Sequence, residues 1–165
     1  LCELEAASVA AGRTLYFLPA YPEIGRITKE GIHYIDGELL ENSVFGMDPF
    51  EPVTQSYIPD IIREQSGIPV KCIGTEEEIP QEDTPGITVC DAVSEEDIDR
   101  RVDELIREGK TGLVAGCAAD TDKTTVCRLW KSEPDYGGTG RLCGTAGWFP
   151  SAASDNGTEA FERLF

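Results

Sequence analysis

Residues 19 to 26, Pro-Ala-Tyr-Pro-Glu-Ile-Gly-Arg, bring together the side chains best placed to do chemistry. Arg26 offers a planar fork of N–H donors that suits a carboxylate or a phosphate. Pro19 and Pro22 fix φ and remove two backbone donors, so the octet reads as a stiff loop outside any strand ladder. Gly25 permits a backbone conformation that other residues resist. The competing reading is an ordinary strand-to-hairpin turn in which Arg26 pairs with Glu23 or Asp48. Downstream, Asp91 stands at the end of the run Ile87-Thr88-Val89-Cys90, where functional acids gather in open α/β sheets. His33 alternates with apolar neighbours and reads as a solvated strand residue rather than a base, since no Ser or Cys nucleophile pattern accompanies it.

Other chemistries find little support. Among the six cysteines (2, 72, 90, 117, 127 and 143) there is no C-x-x-C pair, and the single histidine is distant from them in sequence, which argues against zinc. The cysteines are expected to be reduced and structural, in a cytoplasmic protein. The acidic stretch 74 to 86 reads as a solvated loop with nothing to fix its carboxylates around a metal. Gly137 to Arg141 lacks the spacing of a P-loop and its Lys-Ser/Thr.

A formal net charge of −17 excludes nucleic acid and anionic membrane as expected partners, because both need a basic face. It also means that an anion site must concentrate its cations locally. No stretch approaches the roughly 20 apolar residues of a membrane span, and no signal peptide is visible. At 165 residues, 40% hydrophobic and 27% charged, one soluble domain with a real core is expected.

The elements that must position these residues alternate between strand and helix. Residues 2–11 read as the end of a helix stopped by Gly12. Strands are expected at 13–18, 68–73, 87–92 and 111–116, and helices at 57–66 and 95–108. Ser94 with Asp97 forms a near capping box. Ile98, Val102, Leu105 and Ile106 recur at helical spacing toward the sheet, leaving Glu95, Arg101 and Arg107 toward water. Asp36-Gly37 is a two-residue turn signal, so residues 27–40 read as a projecting β-hairpin. The fold class is α/β: a three-layer, mainly parallel sheet with flanking helices and a projecting hairpin, an incomplete Rossmann-like domain.

The octet resembles the P-A-[FY]-P-x-x-G-R motif in the N-terminal domain of the four-carbon acid sugar kinase family. The likeness continues through Tyr34-Ile35-Asp36-Gly37, Asp48-Pro49-Phe50-Glu51-Pro52-Val53-Thr54 and Cys90-Asp91-Ala92, and Gly116-Cys117-Ala118 stands where the family has a small-residue exit. It covers residues 2 to 119. It implies an enzyme that phosphorylates threonate- or erythronate-like acids with ATP and Mg²⁺, the N-terminal domain holding the acid. By residue, it places Tyr21, Glu23, Gly25 and Arg26 at the substrate, together with Asp48, Thr54 and Asp91. The family's opening A-D-D-x-T-G and K-x-x-D-S-T-x-R-G motifs are not matched. Residues 1–119 are therefore expected to be a partial acid-sugar-binding domain, and 120–165 a linker and irregular tail. Such a fragment is expected to bind no ATP or Mg²⁺ itself and to be inactive alone, with homo-oligomers open. The alternative is a stand-alone binding or regulatory module for sugar acids.

Overall fold

The computed structural model of the chain describes residues 2–111, 114–116, 143–144 and 147–148. Helix α1 (Cys2–Ala11) is stopped by Gly12 at φ +68, a backbone conformation suited to glycine. Strand β1 (Thr14–Leu18) follows. A small antiparallel meander comes next, of β2 (Arg26–Lys29), β3 (Ile32–Ile35) and β4 (Glu38–Leu39). Then come α2 (Ile58–Gln65), β5 (Val70–Ile73), β6 (Gly86–Cys90), α3 (Glu95–Arg107), β7 (Val114–Gly116), and the two-residue strands β8 (Cys143–Gly144) and β9 (Gly147–Trp148). The main sheet has the order β5-β6-β1-β7-β8-β9. It is parallel from β5 through β8, and β9 alone runs antiparallel.

Three layers follow from the apolar runs. Leu15, Ile87, Val89 and Ala115 pack with Leu4 and Ala7 of α1 and with Ile58 and Ile62 of α2 on one face. Tyr16, Leu18, Cys90 and Val114 pack with Val102 and Leu105 of α3 on the other. Successive residues of β1 alternate between the two clusters, as a strand covered on both faces must. The expected fold class is the observed one. Strand β1 sits inside the sheet, and the chain passes from β6 to β7 across it, so the octet and Asp91 leave neighbouring strands at their carboxyl ends, where such sheets bind ligands.

Three expectations need correction. The projecting hairpin is a three-stranded meander, with two-residue turns at Glu30-Gly31 (φ 53 and 74) and Asp36-Gly37 (φ 51 and 84). The first turn lacks the Asn-Gly or Asp-Gly signature, and a tertiary contact compensates for it, as described below. Arg101 does not face water. It is 2% exposed, because its guanidinium donates to the carbonyls of Gly74 (2.7 Å) and Glu77 (2.9 Å) and to Glu104 Oε2 (2.5 Å). The acidic loop after β5 is accordingly not simply solvated: Ile79 is buried within it, and its N–H donates to Glu104 Oε1 at 2.8 Å. Residues 112–113, 117–142, 145–146 and 149–165, which include part of the expected strand 111–116, most of the expected tail and the Gly137–Arg141 segment, lie outside the described residues.

Candidate functional site

The octet leaves β1 as a stiff corner. Pro22–Ile24 forms one 3-10 turn, closed by Gly25 at φ +73, whose N–H donates to the Pro22 carbonyl at 2.9 Å. A side chain at Gly25 would be strained by that φ and would also run into Asp36. Across the turn, Tyr21 N–H donates to the Arg26 carbonyl (2.7 Å) and Arg26 N–H to the Tyr21 carbonyl (3.1 Å). These two bonds fix the point from which the Arg26 side chain departs. Its guanidinium carbon lies 5.4 Å from the centre of the Phe45 ring, a cation–π contact. Tyr21 and Arg26 are half-buried and Glu23 is exposed.

Phe45 was not among the candidates read from the sequence; it belongs to an irregular loop that is well built. Ser43 is buried; its hydroxyl donates to Leu40 O at 2.6 Å and accepts from Phe45 N–H at 3.3 Å. Val53 N–H closes back on Phe45 O at 3.0 Å. Asp48 Oδ1 accepts from the N–H groups of Phe50 (2.8 Å) and Glu51 (3.1 Å), which hold its carboxyl below the usual range. Asp48 and Thr54 are both exposed. A sequence signal near Phe45 itself is Gly46, which packs so closely on the Glu41 carbonyl that any Cβ there would collide with it.

Asp91 has a structural duty that its position alone did not reveal. It is 4% exposed, and its two oxygens accept from the backbone N–H groups of Glu30 (2.6 Å) and Gly31 (3.0 Å). That is the compensation for a turn with Glu at a left-handed φ: the carboxylate grips both turn amides. Burial pushes the Asp91 carboxyl up, against those two hydrogen bonds. Beside it, Thr28 and Ala92 exchange a pair of backbone hydrogen bonds at 2.9 and 3.0 Å. The meander is thereby docked on the carboxyl end of β6, two residues from Arg26. Each carboxylate oxygen retains further acceptor capacity.

His33 is buried rather than solvated, at 6% exposure. Its Nδ1 lies 3.0 Å from Thr28 Oγ1, and its N–H donates to Ser56 O at 2.9 Å. Alternation could not show this, because β3 also bonds along its edge to the segment leading into α2, where Ile32 bridges Tyr57. Burial, and then the charge of Arg26, push the imidazole down to about 4. The structure thus gathers Tyr21, Gly25, Arg26, Phe45 and Asp48 in and around one corner, with Asp91 beneath the meander and Thr54 at the approach to α2. Among the described residues, no group of three or more His, Cys, Asp or Glu side chains could hold a metal ion. Nor, among them, is any helix long and apolar enough to cross a membrane.

The profile of the sugar-binding N-terminal domain family matches residues 2–124. The chain belongs to that family, the N-terminal, sugar-binding part of the four-carbon acid sugar kinase family. A search of curated proteins found no match. Among solved structures, it is similar to a Salmonella typhimurium LT2 protein proposed as a tRNA synthase, with 24% identity and a TM-score of 0.62, covering 78% of this chain and 33% of that one. It is also similar to a Haemophilus influenzae protein, with 16% identity and a TM-score of 0.57, covering 76% and 32%. A third is a domain of unknown function from Bordetella bronchiseptica, solved as a domain-swapped dimer with bound citrate, with 25% identity and a TM-score of 0.58, covering 78% and 32%. The chain therefore spans about a third of the length of these proteins.

Proposed function

We propose that this chain contributes the sugar-acid-binding half of an ATP-dependent kinase acting on four-carbon acids such as threonate or erythronate. The observation that carries the reading is Arg26: a guanidinium on a proline-stiffened corner at the carboxyl end of β1, 5.4 Å from the centre of the Phe45 ring. On a chain of charge −17, an anionic ligand is repelled at long range and needs a local cation. Family membership supports a sugar ligand, and citrate bound to the Bordetella relative supports an acid one. Asp91 and Thr54 are the candidates for ligand hydroxyls, with Tyr21 and Asp48 flanking the corner. A partner domain would supply ATP and Mg²⁺. Phosphoryl transfer is largely positioning and charge neutralisation, and this half's share is to hold the acid.

Isothermal titration with sodium threonate and sodium erythronate tests the reading. Arg26→Lys should weaken binding about 10- to 150-fold, the range of one charge-assisted hydrogen bond of roughly 1.5–3 kcal/mol, with the melting temperature nearly unchanged. The reading fails if neither acid binds the wild-type chain. It also fails if Arg26→Lys melts early while the folded fraction binds normally, which would make Arg26 a structural clamp.

A further inference from the structure

We infer that Phe45 is a positioning residue for anion recognition: its ring helps to fix where the Arg26 guanidinium lies. The inference rests on the reading of Arg26 as the carboxylate contact. The ring lies 5.4 Å from the guanidinium carbon, within the range of a cation–π interaction. An aromatic ring can orient a guanidinium without adding a negative charge beside it.

The loop around Phe45 is constructed to hold it there. Phe45 stays 39% exposed, so its own burial does not account for its place. Its N–H and C=O are both engaged, with Ser43 Oγ at 3.3 Å and Val53 N at 3.0 Å. Ser43, on one side, is pinned by its 2.6 Å bond to Leu40 O. Gly46, on the other, lets the chain close on the Glu41 carbonyl. Glu41 is fastened in turn: its N–H donates to Ser56 Oγ at 3.1 Å, and its Oε2 accepts from that hydroxyl at 2.9 Å. A tight loop that ends in a half-exposed ring set over a cation is what orientation requires.

A double-mutant cycle on the full chain, read by titration with sodium threonate, tests this. Phe45→Leu should raise Kd about 2- to 5-fold, the span of an exposed cation–π contact, and Phe45→Tyr should restore the wild-type value. In an Arg26→Gln background, Phe45→Leu should change nothing further, because its effect passes through the guanidinium. Gly46→Ala, which must push the loop off the Glu41 carbonyl, should weaken binding in the same direction as Phe45→Leu. An equal effect of Phe45→Leu in both backgrounds overturns the inference. So does a wild-type Kd in Phe45→Leu while Arg26→Gln is weakened, an outcome that leaves the role of Arg26 standing. A wild-type Kd in Arg26→Gln removes the role of Arg26, and the inference with it.

Discussion

His33 shows how a single buried group ties folding to pH. Its imidazole is pushed down to about 4, first by burial and then by the charge of Arg26, while in an unfolded chain it titrates near 6.5. Between those values the unfolded chain binds a proton that the folded chain refuses. Stability is therefore fully present above about pH 6.5 and is lost as pH falls toward 4, by on the order of 3 kcal/mol over the window. Carboxylates titrate there too, so the measurement is a comparison. Melting curves of the wild type and His33→Asn from pH 7.5 to 4.5 should converge as pH falls, with the wild type losing more. Parallel curves would show that His33 is not the group responsible.

At the scale of elements, the loop between β5 and β6 is held to α3 by one buried ion pair. Arg101 takes the Gly74 and Glu77 carbonyls, while Glu104 takes Arg101 with one oxygen and the Ile79 N–H with the other. Removing the guanidinium leaves two carbonyls and a carboxylate without their partner. Arg101→Met should therefore cost about 3–5 kcal/mol, as for one half of a buried pair. Glu104→Gln keeps an acceptor for Ile79. The double variant should cost less than the sum of the singles by about 1 kcal/mol or more, measured by denaturant unfolding with an unchanged m-value. Strict additivity would mean that the two side chains act separately. The meander follows the same logic, since its first turn forms because Asp91, sixty residues away, accepts both of its amides.

For the molecule as a whole, stability should be concentrated in the middle of the sheet. Both β1 and β6 pair on each side and are covered on both faces, whereas among the described residues β5 pairs on one side only. Hydrogen exchange should find the slowest amides in residues 14–18 and 86–90, opening only with global unfolding. The solvent-facing edge of β5 should exchange sooner, and the exposed amides around Met47 and Phe50 fastest of all. Greater protection in β5 than in β1 would contradict this placement of the core.

Local pattern was enough for the layers and for the corner. Apolar runs of strand length, a capped helix with Ile98, Val102 and Leu105 at helical spacing, and Asp36-Gly37 each encode an element through contacts a few residues long. Pro19, Pro22 and Gly25 restrict the octet through their own backbones, so the corner was legible before any neighbour was known. Tertiary structure alone decided what long contacts decide. Arg101 lies inside because carbonyls from another loop meet it, although its helical position reads as solvated. His33 is buried in a meander that bonds to Ala92 along one strand and to the segment before α2 along another, contacts that alternation does not contain. Asp91 serves a turn that its own segment never approaches in sequence. Phe45 reaches Arg26 across nineteen residues of chain, a juxtaposition that no spacing rule contains, because the path of an irregular loop is set by its closure on Ser43, Glu41 and Val53 rather than by any periodic pattern.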